Sequence, residues 1–238
     1  MHEIWKEFKG EEFTFEDQLA TVLYPTVAPN GKMVLKTEYL DAFPDFEQAM
    51  LRRGYHVINI THANRWAPDH TIHQMARFVR AMAEKLNCSE KVIPAGMSCG
   101  GLQATRLAQM YPELVPVMYI DAPALNILSL AGLGDAEFSA GMWNEMVSAY
   151  GFNKSTVVAF RGSPIDHLDK LIEHNIPIIM LYGDADVVVP YHENGKVLED
   201  YYKAHGGTIK VIEKSMTGHH PHSLKDPTPI VEFVEQYV

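Results

Sequence analysis

Several features that define common protein classes are scarce in this 238-residue sequence. It contains two cysteines, Cys88 and Cys99, which are too few for a disulfide framework and are typical of a reducing compartment. No apolar run approaches the ~20 residues that a membrane span needs. The amino-terminal stretch MHEIWKEFKGEEF lacks the apolar core of a signal peptide. These absences argue against a disulfide-stapled or membrane-spanning protein, and we expect a cytoplasmic one.

Positive charge is also scarce. Lysine and arginine total 20 against 30 aspartates and glutamates, which gives a formal net charge of −10. Such a chain repels nucleic-acid backbones and anionic membrane surfaces on average. Neutral or cationic partners are favoured, so we expect no nucleic-acid or membrane partner. Self-association into a homo-oligomer is compatible with this composition, and nothing in the sequence selects an oligomeric state.

What the sequence does have is an alternation of strand-like and helix-like segments. Amphipathic spacing predicts helices over 70–86 and 226–238. Helix following strand implies parallel strands, right-handed crossovers and an open sheet covered on both faces. The first two strands, joined by the turn-like VAPNGK, are candidates for a hairpin. The predicted strands are short, rich in β-branched residues and bounded by turn residues: 20–25, 32–39, 55–60, 91–96, 115–121, 176–183 and 208–214.

One interval, residues 125–168, interrupts this alternation. It shows no clear strand and one short helix at about 143–150. Long irregular segments in compact domains are usually functional or form small subdomains. We interpret it as a lid inserted into a core domain made of residues 1–124 and 169–238; the alternative is a structural excursion at the sheet edge.

The stretch IPAGMSCGGLQA contains a serine between glycines. Gly96, Ser98 and Gly100 fit the pattern G-x-S-x-G, with a strand pattern before it and a helical pattern after it. A serine in such a sharp turn has strained backbone angles, so its neighbours two positions away must lack side chains. Its hydroxyl then stands at a helix amino terminus, which favours negative charge. The pattern alone is also met by incidental glycine-rich turns, so partner residues must decide.

A serine hydroxyl needs a base, and the base needs an orienting acid. Asp184 and Asp186 follow a strongly apolar strand, and the sequence GHHPHSL places three histidines after the last strand. Both loops leave the sheet at strand carboxyl ends, where open α/β sheets bind their ligands. Order, spacing and location therefore agree with a Ser, Asp, His series.

The chain resembles an α/β-hydrolase in three motifs: GMSCGG is similar to the nucleophile elbow, GDADVVVP to the acid loop and GHHPHSLKDPTPIVEFV to the histidine loop. The likeness covers the chain outside the insertion. It implies Ser98 as nucleophile, Asp186 as orienting acid and His219 as general base. The first oxyanion donor would be the backbone N–H of Cys99. The usual His-Gly pair is absent, so the second donor falls to Glu38 or its neighbour Thr37.

Other residues have competing interpretations. For Asp121 after the fifth strand we favour a turn cap or a pocket wall over an alternative acid, and for Asp184 a role in its turn. The side chain of Cys99 is expected to pack rather than react. The HHPH cluster suggests zinc, but its spacing matches no helical metal motif, so we expect no metal. The loop residues His62, Arg65 and Trp66 could contact substrate, although an ordinary polar loop is favoured.

These observations predict a serine hydrolase that cleaves a small carboxylic ester through an acyl-enzyme, without a cofactor. The enzymatic alternative is a hydrolase of short peptides or amides. The non-catalytic alternative is a binding protein whose triad only lines a pocket, because one fold hosts many functions.

Overall fold

The computed structural model describes residues 2–238 and contains one eight-stranded sheet. The strand order is β1-β2-β4-β3-β5-β6-β7-β8. β1 pairs with β2 and β2 with β4 in antiparallel fashion, and every other pair is parallel. The strands are β1 (Gly10–Phe15), β2 (Gln18–Leu23), β3 (Met33–Lys36), β4 (His56–Ile60), β5 (Val92–Met97), β6 (Met118–Asp121), β7 (Ile178–Gly183) and β8 (Ile209–Lys214).

Seven α-helices accompany the sheet in the described part of the chain. The predicted helices at 70–86 and 226–238 correspond to α2 and α7. The helices are α1 (Asp45–Leu51), α2 (Asp69–Leu86), α3 (Cys99–Met110), α4 (Ala140–Tyr150), α5 (Asp169–Glu173), α6 (Gly195–Ala204) and α7 (Thr228–Glu235).

The core consists of two apolar layers, one on each face of the sheet. Successive residues of a strand point to opposite faces, so Ile178 belongs to one layer and Ile179 to the other. Helices α2 and α3 cover the first face, and α1 and α7 cover the second. The prediction of a mostly parallel sheet with helices on both faces is confirmed.

The amino-terminal strands differ from the prediction. The expected hairpin between 20–25 and 32–39 is wrong, because β2 pairs with β1 on one side and with β4 on the other, and β3 lies beyond β4. Strand β1 escaped prediction since its sequence GEEFTF is acidic, as suits an edge strand. The tight turn that joins it to β2 consists of Glu16 and Asp17, both with positive φ.

Between β6 and β7, residues 125–168 form helical turns and loops. The predicted short helix is present as α4, and further helical turns lie at Ser129–Leu133, Val157–Ala159 and Pro164–His167. Part of this segment joins the core, where Leu130 and Met146 are fully buried. Within residues 2–238, no helix combines the length and the apolar character needed to cross a bilayer.

Candidate active site

Ser98 occupies the sharp turn between β5 and α3. Its φ of +54° lies in a region that side chains disfavour, as the glycine pattern predicted. A Cβ on Gly96 would stand 2.2 Å from the Gly100 carbonyl oxygen, and one on Gly100 would stand 3.0 Å from Thr37 Oγ1. The turn therefore requires glycine at position 96 and leaves little room for a side chain at position 100.

Strand β6 and the residues that follow it hold the backbone of this turn. The Ser98 N–H donates to the Asp121 carbonyl oxygen at 3.0 Å, and the Ala124 N–H donates to the Ser98 carbonyl oxygen at 3.0 Å. The strained conformation is thus fixed from both sides by main-chain hydrogen bonds.

The structure brings Ser98, His219 and Asp186 together in a continuous hydrogen-bonded series. His219 Nε2 lies 3.0 Å from Ser98 Oγ, and His219 Nδ1 lies 2.7 Å from Asp186 Oδ2. The His219 side chain is 9% exposed and that of Asp186 is 1% exposed. The three residues come from the carboxyl ends of β5, β7 and β8, which meet at one edge of the sheet.

Asp186 is held by the backbone of its own loop. Its Oδ1 accepts hydrogen bonds from the N–H groups of Val188 and Val189, both at 2.9 Å. These two bonds leave Oδ2 directed at His219. Its neighbour Asp184 accepts a bond from the Thr217 N–H at 3.2 Å, so it joins the acid loop to the histidine loop.

Asp121, the last residue of β6, holds the histidine loop through its side chain. Its fully buried carboxylate accepts two bonds of 3.0 Å from Lys214 Nζ and one of 2.6 Å from the Ser223 N–H. Burial alone would raise the pKa of this carboxyl, but His222 and Lys214 outweigh it and the pKa is lowered. The expected turn-cap role is wrong, because the partners of this carboxylate come from the end of β8 and from the histidine loop rather than from the turn after β6.

The oxyanion donors proposed from the sequence lie beside the nucleophile. The Cys99 N–H is the first of α3 and is not used by the helix itself. The Thr37 N–H donates to the Ala95 carbonyl oxygen at 3.2 Å, which removes Thr37 as a donor. The backbone nitrogen of Glu38 lies 3.5 Å from where a Cβ on Gly100 would stand. Glu38 is therefore the better placed of the two candidates.

The side chains of Cys99 and Glu38 point to other contacts. Burial raises the pKa of the Cys99 thiol to about 11, which agrees with the expected packing role. Burial also raises the pKa of the Glu38 carboxyl, which accepts a 2.6 Å bond from Gln103 Nε2. Neither side chain contacts Ser98 Oγ by a hydrogen bond in the described part of the chain.

The loop HANRW binds the insertion. Arg65 donates to both carboxylate oxygens of Glu145, at 2.8 and 3.3 Å, and Trp66 Nε1 donates to the same carboxylate at 2.7 Å. Arg65 also donates to the Tyr39 hydroxyl at 3.1 Å. On the other side of the site, the Glu137 N–H donates to the Val187 carbonyl oxygen at 2.8 Å. The insertion therefore contacts both the HANRW loop and the acid loop.

His62, by contrast, stays apart from the site. Both of its ring nitrogens are buried without a hydrogen-bond partner among residues 2–238. Burial lowers the pKa of this histidine to about 4, so it is neutral at physiological pH.

The three histidines of the HHPH cluster lie side by side. The rings of His219, His220 and His222 have centroids 4.9 to 5.0 Å apart in each pair. Of the three, His219 contacts Ser98, whereas His222 Nδ1 lies 3.4 Å from Asp121 Oδ1. One nitrogen from each ring can be chosen so that all three lie within 4.8 Å of one another.

Some residues around the site gave no sequence signal. Glu145 and Tyr39 reach Arg65 only in the folded chain, and the role of Asp121 depends on Lys214, a strand residue with an ordinary local pattern. None of these pairs is related by a regular spacing along the sequence.

Solved hydrolase structures are similar to this chain. A puromycin hydrolase aligns with a TM-score of 0.74 and 15% identity, over 94% of this chain and 38% of its own. An acylaminoacyl peptidase from Pyrococcus horikoshii aligns with a TM-score of 0.70 and 13% identity, over 98% and 42%. A truncated carbohydrate esterase from gut microbiota aligns with a TM-score of 0.70 and 16% identity, over 96% of both chains. The predicted α/β-hydrolase fold is confirmed.

The chain spans about two fifths of the length of the first two of these structures. No curated protein matches it in sequence. The family model described as the prolyl oligopeptidase family matches residues 61–237, about three quarters of the chain, including all three triad positions. The chain therefore belongs to the prolyl oligopeptidase family, whose members are serine hydrolases of the α/β-hydrolase fold.

Proposed function

We propose that this protein hydrolyses small carboxylic esters through an acyl-enzyme intermediate, with Ser98 as nucleophile, His219 as general base and Asp186 as orienting acid. The observation that carries the proposal is the series of hydrogen bonds of 3.0 and 2.7 Å from Ser98 through His219 to Asp186. A nucleophile, a base and an orienting group within hydrogen-bond reach are what covalent catalysis requires.

In the first half-reaction, Ser98 Oγ attacks the carbonyl carbon and its proton passes to His219 Nε2. The Asp186 carboxylate stabilises the imidazolium that forms and keeps Nδ1 protonated. The N–H groups of Cys99 and Glu38 donate to the oxyanion of the tetrahedral intermediate. The protonated His219 then gives its proton to the departing alcohol.

In the second half-reaction, water takes the place of the alcohol. His219 removes a proton from it as it attacks the acyl-enzyme, and the second tetrahedral intermediate collapses to release the acid and restore Ser98. Water is thus the second substrate, and its oxygen ends in the released acid.

An amide substrate is the second candidate, since puromycin hydrolase and acylaminoacyl peptidase are among the similar structures. The carbohydrate esterase among them supports the ester. The triad itself does not distinguish these leaving groups. The choice depends on the surfaces around it, above all the insertion, which we propose as a lid.

A fluorophosphonate probe tests the assignment of the nucleophile, because it reacts with an activated serine rather than a merely exposed one. We expect a single adduct on the peptide that contains Ser98, identified by mass spectrometry. The same adduct in Ser98→Ala would contradict the assignment. An unlabelled wild-type protein that nonetheless binds esters would favour the non-catalytic alternative.

A substrate panel separates the two enzymatic candidates. Esters that vary separately in acyl chain and alcohol are assayed beside short peptide amides with the same acyl groups. The ester proposal predicts a higher kcat/KM for esters even when the comparison is corrected for their greater reactivity in water. Amides that reach the same corrected value would favour the peptidase candidate.

A further inference from the structure

We propose that the three histidines of the loop after β8 form a binding site for a divalent transition-metal ion such as Zn²⁺, and that its occupation inhibits the enzyme reversibly. The inhibitory part of this inference rests on the proposed function, whereas the binding part does not.

The geometry of the cluster supports three ligands. One nitrogen each from His219, His220 and His222 can be chosen so that all three lie within 4.8 Å of one another. Zinc binds histidine nitrogens at about 2.0–2.1 Å, so closing these rings around an ion requires movements on the order of 1 Å. His220 is exposed, so an ion has access to the cluster from solvent.

The surroundings of His222 resemble those of a metal ligand. His222 is 6% exposed, and its Nδ1 faces the buried carboxylate of Asp121. The nearest carboxylate oxygen, Asp121 Oδ1, lies 3.4 Å from this nitrogen. Metal-binding histidines commonly have a carboxylate beside the nitrogen that does not bind the metal, which leaves Nε2 for the ion.

One cationic side chain lies beside the loop, and a buried carboxylate offsets part of its charge. Lys214 Nζ donates to the Pro221 carbonyl oxygen at 2.9 Å and to both carboxylate oxygens of Asp121 at 3.0 Å, so the Asp121 charge offsets that of the ammonium group. Phe43 stacks on His220 at 5.9 Å between centroids and meets His222 edge-on at 5.4 Å, so it supports both rings from one side.

Metal binding and catalysis compete for the same nitrogens. His219 uses Nε2 toward Ser98 and Nδ1 toward Asp186. An ion bound to either nitrogen displaces one of these partners, so the metal-bound protein cannot take the proton from Ser98. The ion is consequently an inhibitor rather than a cofactor.

Direct binding is measured by calorimetric titration of Zn²⁺ into Ser98→Ala, in which the cluster remains and catalysis does not. We expect one ion per chain. Adding His220→Ala or His222→Ala should weaken binding by at least about tenfold, the lower end of the losses seen for partners outside the ligand set. His174→Ala, at the opposite end of the parallel strands, is the matched control and should bind as before.

Inhibition is measured on the otherwise wild-type protein with the best ester of the panel. Zinc should lower the rate, excess chelator should restore it, and His220→Ala should shift the half-inhibiting concentration upward by the same factor as the binding constant. Binding that is absent, or unchanged in His220→Ala and His222→Ala, would overturn the site. A protein that binds zinc but cleaves no ester would instead overturn the proposed function, and one that cleaves esters without binding zinc would overturn only this inference.

Discussion

The two sides of the nucleophile are held in different ways. On the side of the acid and histidine loops, buried groups meet at short distances: Asp121 has no exposed surface and Lys214 is 11% exposed. On the side of the insertion, Arg65 pairs with Glu145, and their side chains are 35% and 43% exposed. Removing one partner of a buried ion pair strongly destabilises the protein, whereas an exposed ion pair contributes little to stability. The side of the acid and histidine loops, here called the chemical side, therefore has a fixed geometry. The side of the insertion, here called the insertion side, tolerates changes in its contacts.

The largest expected effect comes from removing the reacting groups on the chemical side. Ser98→Ala and His219→Ala should each lower kcat by roughly 10⁴ or more while the protein stays folded. His220→Ala should cost far less, since its ring makes no hydrogen bond to Ser98 or Asp186. Turnover measured on metal-free protein with circular dichroism as a folding control checks this order. Near-normal turnover in His219→Ala would assign the base to another histidine.

The next effect tests whether the buried support matters. Asp121→Asn leaves the Lys214 ammonium without its counter-charge and should reduce stability by about 3 kcal/mol, measured by urea unfolding. A displaced histidine loop should also lower kcat by roughly 10- to 100-fold. Asp184→Asn touches the same loop from an exposed position, and it serves as the control with a smaller loss of about 1 kcal/mol.

The pH dependence of this difference follows from the lowered pKa of Asp121. A lowered folded pKa adds stability above the unfolded value, about 3.9, and that stability is lost as the pH falls through the folded pKa. The gap in unfolding free energy between the wild type and Asp121→Asn should therefore be full at neutral pH and shrink in acid below about pH 3.9. A gap that is constant down to pH 2 would exclude the charge of Asp121 as its cause.

On the insertion side, a change should alter selectivity more than stability. Glu145→Gln removes the charge that pairs with Arg65 and keeps an acceptor oxygen for the buried Trp66 N–H, at a cost within about 1 kcal/mol for a half-exposed ion pair. We expect a changed ratio of kcat/KM between short and long acyl esters, and a similar change in Trp143→Ala. Glu16→Gln weakens the comparably exposed pair with Arg77 in the same way and is the control. If it shifts the ratio equally, the lid interpretation of residues 125–168 fails.

The smallest effect is expected at Cys99, where the two sides meet. Its N–H belongs to the chemical side, while its buried side chain packs in the core. Because the pKa of the thiol is about 11, the thiolate is scarce at neutral pH, and Cys99→Ala should keep nearly all the activity. Treatment of the native protein with iodoacetamide should likewise leave the rate unchanged. A large loss of kcat in a folded Cys99→Ala would indicate a role for the sulfur.

The parts of the molecule that could be predicted from the sequence are those with local patterns. Glycine spacing indicated the turn at Ser98, and apolar strands followed by polar loops indicated Asp186 and His219. The pair of Asp121 and Lys214 is separated by 93 positions, and that of Arg65 and Glu145 by 80. Charged residues at such separations have many possible partners, and only the fold selects one. The edge strand β1 was missed for a related reason, since its polar sequence is stabilised by pairing with β2.

The main-chain clamp on Ser98 has a consequence for amide hydrogen exchange. The Ser98 N–H donates a hydrogen bond to the backbone carbonyl oxygen of Asp121. The neighbouring Cys99 N–H is the first of its helix and has no acceptor within the helix. Two successive amides should therefore differ widely in protection, the first exchanging only when the sheet opens and the second exchanging from the folded state. An acyl-enzyme or a bound oxyanion mimic would slow the second and leave the first alone, so the exchange rate of a single amide would report when the oxyanion site is filled.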